Sequence, residues 1–205
     1  MFGSIFNSLF DIDKHRNKRH YSGTIIKDLD LELKKEIKKI NEDPDKSILD
    51  VLHKDGERII VYRTIFDQDE KYGPFFIELK VIHKKGIVLN RIRLSANYTS
   101  EKMVEIGDIE VFGENEGRGY GSTLLNSLIN FAKDNSINTI SGWISYADKN
   151  HFDKLDYFYK KYGFKVIWGS ESNITNKAAD IIWTNSCNLN NAESRINEFE
   201  KRSFQ

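Results

Sequence analysis

Three glycines at every second position, Gly117, Gly119 and Gly121, stand just before a segment with the spacing of an amphipathic helix. Glycine has no Cβ, so a glycine-rich backbone can approach a ligand closely. The first N–H groups of a helix have no partner within the helix, and the helix dipole is positive at that end. A strand, a glycine-rich turn and a helix start therefore make a site for anionic oxygens, and phosphate is the expected ligand.

Two familiar phosphate loops do not match this spacing. A Walker A loop needs Gly, four residues and then Gly-Lys-Ser/Thr, and the chain contains no such string. A dinucleotide fingerprint needs Gly-x-Gly-x-x-Gly, whereas this loop has Gly-x-Gly-x-Gly. Taken alone, the glycines therefore leave open a structural role in which they only shape a tight turn.

The run VEIGDIEVF, just before the loop, carries three carboxylates that could act as a general base. They are Glu105, Asp108 and Glu110. Glu105 shares a strand face with Val111, because successive side chains of a strand alternate between its two faces. A carboxylate on a strand often only faces solvent, so the residues themselves leave the choice open.

Hydrophobic spacing predicts the elements that must position these residues. Residues 31–40 predict a half-buried helix, and a shorter helical piece is expected at SILDVLHK, residues 47–54. After Gly56, β-branched and aromatic runs predict about four mostly antiparallel strands, with a hairpin at HKKGI.

The glycine loop is followed by a predicted helix that ends near Asn135. Its expected buried face consists of Leu124, Leu125, Leu128, Ile129, Phe131 and Ala132. A strand at TISGWISY, a helix from about Lys149 to Tyr162 and two strands at FKVIWGS and AADIIWTN come next. This order predicts an α/β fold with a mixed, largely antiparallel central sheet flanked by helices.

Length and composition restrict the organisation of the chain. Its 205 residues, 39% of them hydrophobic, can bury one core, so we expect a single domain over residues 21–185. Residues 1–20 predict an amphipathic and basic extension, which could pack on the domain or bind a partner. Its charge follows its apolar stretch, the reverse of a secretory signal. Residues 186–205 are expected to form a C-terminal tail.

Charge and composition also restrict the partners. The net charge is zero, so no overall field recruits nucleic acid or an anionic membrane, and we expect neither as a partner. Trp143, Trp168 and Trp183 fall in or beside strands and are expected in the core.

The single cysteine, Cys187, cannot form an intramolecular disulfide, which favours the cytoplasm. The histidines show no metal-ligand spacing, so no metal site is expected.

Two segments together resemble landmarks of the GNAT superfamily of N-acetyltransferases. The family motif Arg/Gln-x-x-Gly-x-Gly/Ala follows a strand that ends in an aliphatic residue, and Val111 followed by EGRGYG is similar to it. The second landmark is a helix that ends in Tyr-x-x-x-Gly-Phe, and YKKYGF, from Tyr159 to Phe164, matches it. The resemblance covers about residues 57–185. It departs at Glu116, where the family usually has Arg or Gln, and at Phe152, where it often has Asn.

The resemblance implies an acetyl-CoA-dependent N-acetyltransferase. Its expected co-substrate is acetyl-CoA, and its expected acceptor is a primary amine on a small molecule or peptide, which attacks directly in a ternary complex. Tyr159 matches the family's acid for the leaving thiolate, and Glu105 stands six residues before Val111, where some members place a base. The resemblance implies contacts with the co-substrate from Val111, Gly117, Arg118, Gly119, Tyr120, Gly121 and Ser122.

The sequence is compatible with further alternatives in function and assembly. A non-catalytic module could keep the same fold and use its N-terminal extension to bind a partner. The oligomeric state is also undetermined, with a homodimer as one option.

Overall fold

A computed structural model describes most of the chain in two compact units. The first unit contains the described residues up to Asn97 together with Gly107–Leu128, and the second contains Tyr98–Ile106 and the described residues from Ile129 onward. The described residues are 18–67, 70, 72–169 and 176–185. The predicted C-terminal tail, Cys187 and all but the last three residues of the predicted N-terminal extension lie outside these ranges.

The described residues form three α-helices, nine β-strands and two short 3₁₀ helices. The α-helices are α1 (Leu29–Asn41), α2 (Tyr120–Asp134) and α3 (Phe152–Lys161). The strands are β1 (Lys46–Lys54), β2 (Glu57–Ile65), β3 (Pro74–His83), β4 (Gly86–Ile87), β5 (Arg93–Ser100), β6 (Met103–Glu110), β7 (Thr139–Ser145), β8 (Lys165–Trp168) and β9 (Lys177–Thr184). The 3₁₀ helices are Gly113–Asn115 and Tyr146–His151.

In the first unit, the strands follow the order β1-β2-β3-β5-β6, and β4 also pairs with β3. Strands β1, β2 and β3 are antiparallel neighbours, and β3 pairs antiparallel with β4 and β5. The predicted hairpin at HKKGI is confirmed by the pairing of His83 with Gly86. The predicted strand IVLNRIRL is interrupted, because β4 ends at Ile87 and β5 begins only at Arg93.

Helix α1 confirms the prediction for residues 31–40. Asp28 caps its N-terminus by accepting hydrogen bonds from the backbone N–H groups of Asp30 (3.0 Å) and Leu31 (2.9 Å). Its buried Leu33 and Ile40 pack in a cluster with Ile26, Ile60 and Ile82. The apolar face of α1 therefore packs against β2 and β3.

The expectation of a helical piece at residues 47–54 is wrong, because these residues form β1. The dipeptide Asp55-Gly56, with φ values of +50° and +75°, makes the tight turn that pairs β1 with β2. Asp-Gly is a strong signal for such hairpins, since both turn residues adopt positive φ. An isolated helix of this length is marginal, whereas pairing with β2 satisfies the backbone along the whole strand.

In the second unit, the strands follow the order β5-β6-β7-β9-β8. Strands β6 and β7 are parallel, with Val104 opposite Ile140, and the β7–β9 and β8–β9 pairs are antiparallel. Of the three tryptophans expected in the core, only Trp183 is buried. Trp143 is 45% exposed and Trp168 is 40% exposed, so that expectation is wrong for both.

The predicted α/β fold, with a largely antiparallel sheet flanked by helices, is confirmed. The predicted apolar face of α2 is also confirmed, since all six of its expected residues are buried: Leu124, Leu125, Leu128, Ile129, Phe131 and Ala132. Among the described residues, no helix is long and apolar enough to cross a membrane.

Candidate active site

The glycine loop lies in the first unit between β6 and α2, as its sequence predicts. Gly117 and Gly119 have φ values of +71° and +81°, a region that residues with a Cβ adopt only under strain. The backbone N–H of Thr123 donates to the Gly119 carbonyl at 3.0 Å, in the first turn of α2. The N–H groups of the residues just before Thr123 therefore form the positive end of the helix.

Most of the residues expected to contact the co-substrate lie on an accessible part of this loop. Gly117 and Arg118 are exposed. Gly119, Gly121 and Ser122 are half-buried, as is Val111, which directly follows β6. The loop is thus partly exposed to solvent in this unit.

Tyr120 is the exception, because its side chain is buried under the loop. Its hydroxyl donates to Oε2 of Glu57 and accepts a hydrogen bond from Nη2 of Arg19 at 2.7 Å. Only the main chain of Tyr120 is left to contact a ligand, so its predicted role is limited to the backbone N–H.

Arg19, Glu57 and Tyr120 form a buried polar cluster that sequence reasoning missed. Nη1 of Arg19 lies 2.7 Å from Oε1 of Glu57, and their side chains are 2% and 6% exposed. Burial lowers the pKa of the Arg19 guanidinium, but its hydrogen bond to Glu57 and the nearby charges outweigh burial and raise it. Burial, followed by the hydrogen bond to Glu57 and its charge, raises the pKa of the Tyr120 phenol. The phenol therefore stays protonated and remains a donor at neutral pH.

Tyr120→Phe tests the contribution of this cluster to stability. The change keeps the buried ring but removes the hydroxyl that links the two charges, leaving part of each buried group unsatisfied. We expect the free energy of unfolding to fall by about 1–3 kcal/mol, measured by urea denaturation. Tyr157→Phe is the matched control, since Tyr157 is 69% exposed. Equal stability of the two variants would contradict a structural role for the Tyr120 hydroxyl.

Glu114 and Glu116, which precede the glycine loop, form hydrogen bonds through both their side chains and their main chain. Oε1 of Glu116 accepts from the backbone N–H of Gly113 at 3.0 Å, while the Glu116 N–H donates to the Gly113 carbonyl at 2.9 Å. Oε2 of Glu114 accepts from the Arg19 N–H at 3.2 Å, and Nε of Arg118 donates to the Glu114 carbonyl at 2.7 Å. Glu116, which departs from the family motif, therefore closes the 3₁₀ turn that leads into the loop.

Lys54 is a second residue at the loop that the sequence did not indicate. Its Nζ donates to the Arg118 carbonyl at 2.7 Å. A Cβ placed on Gly119 would lie 2.7 Å from the same Nζ. The hairpin turn after β1 places this lysine here, and the expected helix at residues 47–54 concealed it.

Tyr159 lies in the second unit, on α3, and is 8% exposed. Its ring packs edge-on against Phe158 and Phe164, with centroid distances of 5.2 and 5.5 Å. The N–H of Phe164 donates to the Tyr159 carbonyl at 3.1 Å, and that of Gly163 donates to the Lys160 carbonyl at 3.0 Å. This pattern, with Gly163 at φ +82°, is a Schellman helix end. The spacing of Tyr159, Gly163 and Phe164 is therefore the spacing that this type of helix end requires.

The three candidate bases on β6 differ in their surroundings. Glu105 is half-buried in the second unit, opposite Ser141 of β7. Glu110, in the first unit, forms an ion pair with Arg93 at 2.6 Å. Asp108 is exposed, and its Oδ1 accepts from the Ile109 N–H at 2.7 Å. The Glu110 carboxylate is therefore already paired with a cation within the first unit.

Comparison with known proteins shows the family of this chain. A model of the acetyltransferase (GNAT) family matches residues 34–164. A protein of Bacillus subtilis strain 168, the uncharacterized protein YocC, is 37% identical over 73 residues, which are 36% of this chain and 42% of that relative. The aligned region thus spans less than half of the relative's length.

Two solved structures are similar at low identity. A GNAT-family acetyltransferase of Staphylococcus aureus Mu50 is 19% identical, with a TM-score of 0.42, over 59% of this chain and 81% of that one. The PaiA N-acetyltransferase of Thermoplasma acidophilum, solved with coenzyme A, is 17% identical, with a TM-score of 0.39, over 54% and 61%. The family model spans more than half of the chain and includes the glycine loop, so the chain belongs to the acetyltransferase (GNAT) family.

Proposed function

We propose that this chain transfers the acetyl group of acetyl-CoA to a primary amine on a small molecule or peptide. The observation that carries the proposal is the loop at the start of α2, where Gly117 and Gly119 adopt positive φ and are exposed and half-buried, respectively. Backbone N–H groups at a helix N-terminus suit a diphosphate, and the glycines remove the side chains that would block it. The residues present therefore fit the diphosphate of CoA.

The chemistry requires a proton acceptor, because only a neutral amine can attack the thioester. We assign this role to Glu105, acting directly or through a water molecule. The amine adds to the thioester carbonyl, whose C–O electrons move onto the oxygen. A main-chain N–H at Val111 would stabilise that oxyanion without needing a side chain.

The tetrahedral intermediate then collapses, and the C–S bond breaks as the carbonyl re-forms. The electron pair of that bond leaves on the sulfur of CoA, and the Tyr159 phenol donates a proton to it. The amine loses its proton to the base, so the products are an amide and free CoA thiol. Both reactants must be bound together, as in a ternary complex.

Release of thiol from acetyl-CoA tests the proposal directly. The full chain is incubated with acetyl-CoA and a panel of amines, polyamines, aminoglycosides and peptides with free N-termini. We expect amine-dependent thiol release, with intersecting double-reciprocal plots when both substrates are varied. Parallel plots would contradict direct transfer, because they indicate a covalent acetyl-enzyme intermediate. CoA binding without turnover of any acceptor would favour the non-catalytic module.

Glu105→Gln separates the proposed base from its neighbours. The change keeps the shape of the side chain but removes its ability to accept a proton, so kcat/KM should fall by about 10²-fold or more. CoA affinity should change little. Asp108→Asn and Glu110→Gln are the comparison variants, and each should cost less. A larger loss for Glu110→Gln would show that the wrong carboxylate was chosen.

A further inference from the structure

We infer that Lys54 binds the diphosphate of CoA and supplies the positive charge that this chain lacks at Glu116. The inference rests on the proposed function, since it adds a residue to the same site. Glu116 directly precedes the glycines, so an acidic side chain stands where a phosphate group would gain from a cation. Two like charges near one another at the surface disfavour binding, so a compensating cation would restore the affinity.

The β1–β2 hairpin places Lys54 beside the loop. Lys54 is the last residue of β1 and lies directly opposite Glu57, the first residue of β2. Side chains of directly opposed residues project from the same face of a sheet. Glu57 contacts Tyr120 at the start of α2, and Lys54 contacts Arg118 in the loop. The two residues that close the hairpin therefore contact two successive parts of the phosphate-binding segment.

The ammonium group of Lys54 lies close to the part of the loop that an anion would approach. Its Nζ is 2.7 Å from the Arg118 carbonyl and 2.7 Å from the position of a Cβ on Gly119. Lys54 is exposed, and its Nζ contacts a main-chain carbonyl and not a carboxylate. An ammonium has three donors, so one bond to a carbonyl leaves two for phosphate oxygens.

The loop carboxylates are already engaged elsewhere. Glu116 accepts from the Gly113 N–H and Glu114 from the Arg19 N–H, while the Nε of Arg118 is bonded to the Glu114 carbonyl. The Lys54 ammonium thus lies beside the glycines, while the Glu116 carboxylate stabilises the turn that precedes them. This division of roles explains how the motif works with an acidic residue at its first position.

Calorimetry on the full chain tests this role with the wild type, Lys54→Met and Lys54→Arg. We expect Lys54→Met to weaken binding of CoA and of 3′-dephospho-CoA equally, by about tenfold at low salt, with a smaller difference at high salt. Lys54→Arg keeps the charge and should retain most of the affinity. Lys38→Met is the matched control, since the Lys38 side chain is 78% exposed on α1.

The outcomes separate this inference from the proposed function. If the wild type binds CoA and Lys54→Met binds it equally well, Lys54 has no such role, while the function stands. If only CoA and not 3′-dephospho-CoA is affected, the lysine contacts the 3′-phosphate, and the diphosphate assignment is wrong. Failure of the wild type to bind CoA at all overturns both. A steady-state check should show a raised KM for acetyl-CoA with kcat retained.

Discussion

Tyr159→Phe should lower kcat by about 10²- to 10⁴-fold when departure of the thiolate limits the rate, because general acid catalysis contributes that much. The variant keeps the ring that packs against Phe158 and Phe164 and loses only the hydroxyl. CoA affinity should change far less, since the glycine loop belongs to another part of the sequence. The measurements are steady-state thiol release with a proven acceptor and calorimetric CoA binding.

Tyr157→Phe is the control for Tyr159→Phe, two residues away on the same helix and 69% exposed. It should keep full turnover. Full turnover of Tyr159→Phe as well would show that the acid assignment is wrong. A large drop in melting temperature with unchanged kcat would instead identify the Tyr159 hydroxyl as a buried structural group.

Gly119→Ala should lower kcat/KM for acetyl-CoA by about 10²-fold, since displacing a positioning group by about 1 Å can cost that much. The native φ of +81° strains any residue that has a Cβ, and the added methyl would lie 2.7 Å from Nζ of Lys54. The change therefore both shifts the backbone N–H groups of the loop and displaces the lysine. Calorimetry should assign most of the loss to CoA affinity.

Gly23→Ala is the matched control for Gly119→Ala, because Gly23 also has a positive φ, of +72°, and an added Cβ would meet nothing within 4 Å. Both variants incur a similar backbone strain, so their unfolding free energies should fall by similar amounts. Only Gly119→Ala should lose CoA affinity. Retained affinity in Gly119→Ala would contradict the assignment of the loop to the diphosphate.

Short-range patterns in the sequence determined several features correctly. The six predicted core residues of α2 are buried, because a period of 3.6 residues fixes which side chains share one face of a helix. The glycine loop lies between β6 and α2, as its position in the sequence predicts. At the end of α3, the spacing of Tyr159, Gly163 and Phe164 matches a Schellman motif, which needs glycine at one position. Each of these features depends on residues only a few positions apart.

Burial along single strands was harder to predict from residue type. The three tryptophans were expected in the core. In β7, however, Ile140, Gly142 and Ile144 are buried, and Trp143 lies between two of them on the opposite face of the strand. Trp143 therefore faces outward. Trp168 is only partly covered, and its Nε1 donates to Asp156 at 3.0 Å. The position of a residue within the strand pairing, and not its size, decided its exposure.

Long-range contacts decided what the sequence could not. Residues 47–54 have a pattern compatible with a helix, and only pairing with β2 makes them a strand. Arg19 meets Tyr120 from 101 positions away, and Lys54 meets Arg118 from 64 positions away. No period in the sequence encodes such contacts, because local spacing describes one face of one element. The tertiary fold decides which polar groups from distant segments come into contact. For a buried charge such as that of Arg19, such a partner is needed because an unpaired charge is costly to bury.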